Sequence, residues 1–271
     1  MNKTTLSHRT VSRLALTGFL SILLLASGCD LNSIKDPIVL TDVEDEFFLD
    51  MWEEITPQGR SFQLSVATIA DQPCRNGQVA YETSIRQSEI DVSLLEIIQP
   101  EDCVAGQAPA VAEIELGQLT DQFYAIAIDL REAIVNRGRL TVDQEAYSLD
   151  LFSDYGLRPL RSELRRIPSN QFWGYISYPE ALQSVADSLE KELTAFGNYQ
   201  LPQAGYYGYF TVANGRLAIK DQPEDQPFRT WIMPISPNQT RNAQELIEAY
   251  RKEYAAQGLD IWFMDGRGRT Y

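Results

Sequence analysis

The stretch QFYAIAIDLREAIVNRGRLTV, residues 122–142, decides the fold class. Tyr124, Ile126, Ile128 and Leu130 take every second position, and Leu140 and Val142 resume the alternation after Asn136 and Gly138. Successive side chains of a strand point to opposite faces, so a period of two marks a strand with one face in a core. Working outward, Phe62, Leu64 and Val66 alternate. So do Ile90, Val92 and Leu94; Ile114 and Leu116; and Tyr147, Leu149 and Leu151. Pro57-Gln58-Gly59, Asn76-Gly77, Gly106 with Pro109, and Gly117 punctuate these runs. Short strands with turn signals about every ten residues predict an all-β antiparallel sandwich over residues 47–152.

That pattern resembles the immunoglobulin-like modules common in exported bacterial proteins, although the Cys-Trp-Cys arrangement of antibody domains is absent. Residues 153–170 form an Arg-rich junction carrying Arg158, Arg161, Arg165 and Arg166, with Leu157, Leu160, Leu164 and Ile167 at helical spacing. Such a cluster suits either an anion or salt bridges to acidic neighbours. From 171 to 271 the period changes. Pro179 opens a predicted helix whose Leu182, Val185, Leu189, Leu193 and Phe196 share a face. A second helix carries Leu246, Ile247, Tyr250 and Tyr254, with Asn242 and Glu245 spaced as a cap pair. Asn214-Gly215 is a hairpin signal. The order β-α-β-β-(β)-α-β resembles a ferredoxin-like α+β sandwich, with helices on one face of its sheet. The expectation is two domains, the β-sandwich followed by the α+β layer.

The N-terminus supplies the address. Lys3, Arg9 and Arg13 precede an apolar run from Leu14 to Leu25, then Ala26-Ser27-Gly28-Cys29. A basic start, a short apolar middle and a small-residue end is the layout of a secretory signal. The middle is too short for the roughly 20 residues that span a bilayer. The tetrad resembles the lipobox of bacterial lipoproteins, with Ala26 where that family more often has Leu. The resemblance implies that residues 1–28 are a signal peptide and that Cys29 is lipidated. It implies a lipid anchor in the cell membrane or outer membrane, outside the cytoplasm. Asp30 resembles the residue that retains such proteins in the inner membrane of enteric bacteria. Residues 29–46 read as an acidic tether, with Asp42, Glu44, Asp45 and Glu46 but no calcium-loop spacing.

Charge and composition exclude several classes. The leader holds three of the 23 Lys and Arg and none of the 38 Asp and Glu, so the remainder carries 20 against 38, a net −18. Such a surface repels phosphate backbones, so no nucleic-acid partner is expected. The single histidine, His8, lies in the leader, which removes His-based triads and His-ligated metals from the rest. Cys74 and Cys103 remain, and in an oxidising compartment they predict a disulfide closing a loop of about 30 residues. Ser188-Leu189-Glu190-Lys191 matches S-x-x-K, but the K-T-G element that accompanies it in penicillin-binding enzymes is missing. No cofactor, metal or catalytic residue is nominated.

The positive lead is a sheet face. With helices on one side of the second domain, Trp173, Tyr175, Tyr207, Tyr209, Trp231, Met233, Trp262 and Met264 are expected together on the other. Phe172, Ile176, Phe210, Ile232, Ile261 and Phe263 would then meet the helices. An uncovered aromatic face is either an interface with the β-sandwich or a second copy, or a surface for a glycan or protein partner. The expected function is a non-catalytic, envelope-anchored binding or scaffold module. The alternative is a His-free glycan hydrolase, which requires two carboxylates facing across an aromatic-lined cleft.

Overall fold

The computed structural model describes residues 43–223 and 225–271. Cys29, the leader and most of the tether lie outside the described residues. Among those described, the chain is mostly β, with two α-helices. The first half holds β1 (Phe47–Thr56), β2 (Gly59–Thr68), β3 (Gln72–Cys74), β4 (Gln78–Arg86), β5 (Glu89–Ile98), β6 (Ala105–Ala108), β7 (Val111–Gly117), β8 (Gln122–Leu130), β9 (Ile134–Val142) and β10 (Ala146–Leu151). There follow β11 (Leu157–Pro159), β12 (Glu163–Arg165), β13 (Gln171–Ser177), α1 (Gln183–Leu193), β14 (Gly205–Tyr206), β15 (Phe210–Ala213), β16 (Arg216–Ile219), β17 (Phe228–Pro234), α2 (Pro237–Tyr254) and β18 (Asp260–Asp265). Residues 43–271 pack as one compact unit.

Ten strands form a single ladder in the order β11-β1-β2-β7-β4-β5-β8-β9-β10-β12. The β-rich expectation holds; the immunoglobulin-like division into two sheets does not appear in this pairing. Two parallel pairs, β4 with β7 and β5 with β8, interrupt the antiparallel run. A twisted sheet this wide curls on itself. Its two ends meet across one core: the Phe62 ring of β2 lies 4.5 Å from the Tyr147 ring of β10, and the Tyr147 hydroxyl donates to Glu53 Oε1 of β1 at 2.8 Å. The inward parity positions named by the alternation, among them Leu64, Ile90, Ile114 and Leu140, are fully buried. Gly138, read above as a breaker, lies inside β9. A Cβ there would sit 2.5 Å from the Asp150 carbonyl oxygen of β10, so the strands can approach only at glycine. The reversal falls instead at Arg131 and Glu132, both with positive φ.

The junction is not a helix. Leu157 and Leu164 enter the core of the large sheet on β11 and β12. Its arginines meet acids: Arg158 with Asp45, Arg161 with Asp50, Arg165 with Glu163, and Arg166 with Asp121 and Glu53. Salt bridging, not anion capture, accounts for that cluster. The disulfide between Cys74 and Cys103 is formed and ties the end of β3 to the loop that leads into its partner strand β6.

In the second half β13 is central, with β17 and β18 antiparallel on either side. Helices α1 and α2 cover one face through Leu189, Leu193, Ala243 and Ile247 against Phe172, Ile176, Ile261 and Phe263. The helix start at Ser236, followed by Pro237, precedes the expected Asn242–Glu245 cap pair, which lies inside α2. Ser188 donates its hydroxyl to the Ser184 carbonyl within α1, an ordinary helical contact. Among the described residues this sheet has three strands, where a ferredoxin-like sheet has four. In place of a fourth, β14, β15 and β16 form a separate three-stranded meander.

Candidate binding cleft

The expected aromatic face is closed. The meander packs over it through Tyr207, Phe210, Val212 and Ile219, joined by Ile55 of β1 and Ile167 of the junction. Trp173, Tyr207, Trp231, Met233 and Met264 are buried, whereas Tyr175, Tyr209 and Trp262 are half-buried. The eight residues also do not share one side. Trp173 stands opposite Ile232 and Met264, and Tyr175 opposite Trp262, so all five lie on the meander side, Ile232 among them although it was expected to meet the helices. Trp231 and Met233 stand opposite Gly174 and Phe172 and join the helix-side core. A shift of one residue in strand phase reverses every side chain, and periodicity did not fix the phase of β17. Tyr207 and Tyr209 are not on a strand; they flank Gly208 in the turn between β14 and β15.

The same meander creates a different site. Its outer edge stands against the outward face of β1 and β2. Between them run two adjoining cavities of about 330 and 420 Å³ that share Asp50, Tyr206 and Lys220. These volumes fall in the range of small-ligand sites. The β1 sequence FFLDMWEEIT explains the wall: Phe47, Leu49 and Met51 point into the core, so Asp50 and Trp52 point out. Gln63 and Ser65 of β2 and Glu113 of β7 extend it in register, Asp50 opposite Ser65 and Ser65 opposite Glu113.

Trp52 is held firmly. Tyr209 packs on it at 4.7 Å between ring centroids, and its hydroxyl oxygen accepts the Ile55 backbone N–H at 3.0 Å. Gly208 has φ +80°, and a Cβ there would stand 3.2 Å from the Trp52 ring, so only glycine lets the turn lie this close. Two cations cover the aromatic walls. Lys220 Nζ is 4.3 Å from the Trp52 ring centroid, and the Arg161 guanidinium carbon is 3.8 Å from that of Tyr206. Arg161 is also ion-paired with Asp50. Ser65 donates to Glu113 Oε1 at 2.9 Å. Burial, reinforced by the Asp50 charge, pushes the Tyr206 hydroxyl above its ordinary range, so it is a neutral donor at physiological pH.

The wall combines flat rings, amide, hydroxyl, carboxylate and ammonium groups in one cleft. It can stack a ring and hydrogen-bond its substituents. Among the described residues, no group of three or more His, Cys, Asp or Glu side chains is arranged to hold a metal, and no helix is long and apolar enough to cross a membrane. Sequence reasoning missed this site. The available signal was Trp52, a large aromatic at an outward position of an otherwise alternating strand. Comparison with protein-family models, characterised proteins and solved structures found no match.

Proposed function

We propose that this chain is a non-catalytic binding protein of the cell envelope, anchored by lipid on Cys29, whose Trp52–Tyr206 cleft takes a glycan. The observation that carries the reading is two aromatic rings fixed in a cleft beside Asp50, Gln63, Ser65 and Lys220. Sugar rings present one apolar face and a rim of hydroxyls, and such a wall offers both a stacking surface and hydrogen-bond partners. The acidic surface and the expected leader agree with an extracytoplasmic place away from nucleic acid. Calorimetric titration of the full chain in detergent with a panel of envelope and extracellular oligosaccharides tests it. Binding that Trp52→Ala abolishes supports the cleft; no binding across the panel overturns it. For the anchor, Cys29→Ala is expected to abolish labelled palmitate uptake and to release the protein into the soluble fraction.

A hydrolase is favoured by one observation. Asp50 and Glu113 lie in the same cross-strand row, two strands apart, which sets their backbones about 10 Å from each other. However, Asp50 is engaged by Arg161 and Glu113 by Ser65. With Asp50 tied to Arg161, one of the two carboxylates is not free to act on a glycosidic bond, so binding without cleavage is the better reading. New reducing ends released from a bound oligosaccharide, and lost in Glu113→Gln, would reverse that ranking.

A further inference from the structure

The two cations in the cleft differ in one respect. Arg161 lies over Tyr206 and has Asp50 as its counter-ion. Lys220 lies over Trp52 and takes part in none of the ion pairs among the described residues. It follows β16 directly and borders both cavities, so its ammonium stands between solvent and the indole that a ligand ring would stack on. The aromatic ring is a weak substitute for an anion at an exposed site.

Resting on the glycan reading, we propose that the cleft selects carboxylate-bearing glycans, built from uronic acids, and that Lys220 is the residue that sets this preference. A neutral sugar reaching Trp52 must displace the ammonium with only uncharged hydroxyls to receive it, which weakens binding by about two- to fivefold. A uronate brings its own acceptor. Its carboxylate draws Lys220 off the ring by a charge-assisted hydrogen bond, and the sugar face takes the vacated indole. That exchange favours the acid over its neutral counterpart by about tenfold or more. The net negative charge of the protein and the Glu113 carboxylate on the same cavity wall act the other way; salt screens the long-range part beyond about 10 Å, whereas the contact pair with Lys220 survives.

The test uses the full chain in detergent, and a panel of uronate oligosaccharides alongside the same oligomers with their carboxyls reduced to primary alcohols. Binding is read by calorimetry and by Trp fluorescence. Wild type is expected to bind at least one uronate about tenfold tighter than its reduced form. Lys220→Ala is expected to lose that preference, its affinity for the uronate falling about tenfold towards its affinity for the reduced oligomer. Equal binding of both forms by wild type, still abolished by Trp52→Ala, would overturn the acid preference and leave the glycan reading standing. Absence of binding to either form would overturn both. Unchanged selectivity in Lys220→Ala would overturn the role of that residue.

Discussion

Glu53 shows how a single residue can run against the pattern that surrounds it. It occupies an inward position of β1, between Met51 and Ile55, and is only 2 % exposed. Its carboxylate receives Arg60 at 3.1 Å, Arg166 at 3.5 Å and the Tyr147 hydroxyl at 2.8 Å. Arg60 in turn donates to the carbonyls of Ile167 and Gly266. Removing one partner from a buried charge cluster strands the others, so Glu53→Ala is expected to cost about 3–5 kcal/mol in denaturant unfolding. Glu53→Gln, which keeps the shape and an acceptor, should cost less. The Tyr147 hydroxyl is held protonated well above the usual tyrosine range, first by burial and then by the Glu53 charge. A raised value in the folded state means that its contribution is complete below about pH 10, the unfolded tyrosine value, and is lost as pH rises above it. Stability measured from pH 8 to 12 should therefore fall steeply beyond pH 10. Tyr147→Phe should start lower, by about 1–3 kcal/mol, and decline less; an unchanged alkaline slope would show that this hydroxyl is not the group responsible.

At the scale of elements, the turns separate what was legible from what was not. The Asn214-Gly215 hairpin is where its sequence places it, with both residues at positive φ, because that dipeptide fits the turn without strain. Arg131 and Glu132 make an equivalent reversal between β8 and β9, and nothing in two charged residues signals it. The alternating strands and both helices were legible because burial writes a period into each of them, and the cysteine pair because only two cysteines remain beyond Cys29. The pairing order was not, since β4 with β7 and β5 with β8 are set by long-range packing. The cleft stayed hidden for the same reason: Trp52 and Lys220 are 168 positions apart and meet only because the meander folds back over β1. The Gly208 turn makes that return possible. Gly208→Ala would meet a left-handed backbone and the Trp52 ring together, and is expected to cost about 1–3 kcal/mol and to alter Trp52 fluorescence. The disulfide acts locally on a long loop. Replacing Cys74 and Cys103 by serine should lower stability by about 3.5 kcal/mol in the chain-entropy view without moving the cleft, as read by unchanged oligosaccharide affinity.

For the whole molecule the decisive feature is the seam. The aromatic face, expected to be either an interface with the β-sandwich or a second copy, or a surface for a partner, is the place where the α+β layer, the meander and the large sheet close on one another. Trp173 is fully buried there, packed near Tyr209 and Phe210 at 5.8 and 5.4 Å between ring centroids. Ile55 of β1 and Ile167 of the junction belong to the same cluster. A seam of that kind makes each half part of the other's core, so the two should unfold together rather than in sequence. Calorimetry of the wild type should give one transition whose calorimetric and van't Hoff enthalpies agree. Trp173→Ala removes the largest side chain of the seam and is expected to cost about 3–5 kcal/mol. The loss should be seen equally by a probe in the large sheet and one in α2. Acrylamide should quench Trp52 and Trp262 in the native protein and leave Trp173 and Trp231 protected until that shared transition. Two separate transitions, or early exposure of Trp173 alone, would mean that the halves are independently stable and that the seam is a docked surface able to open.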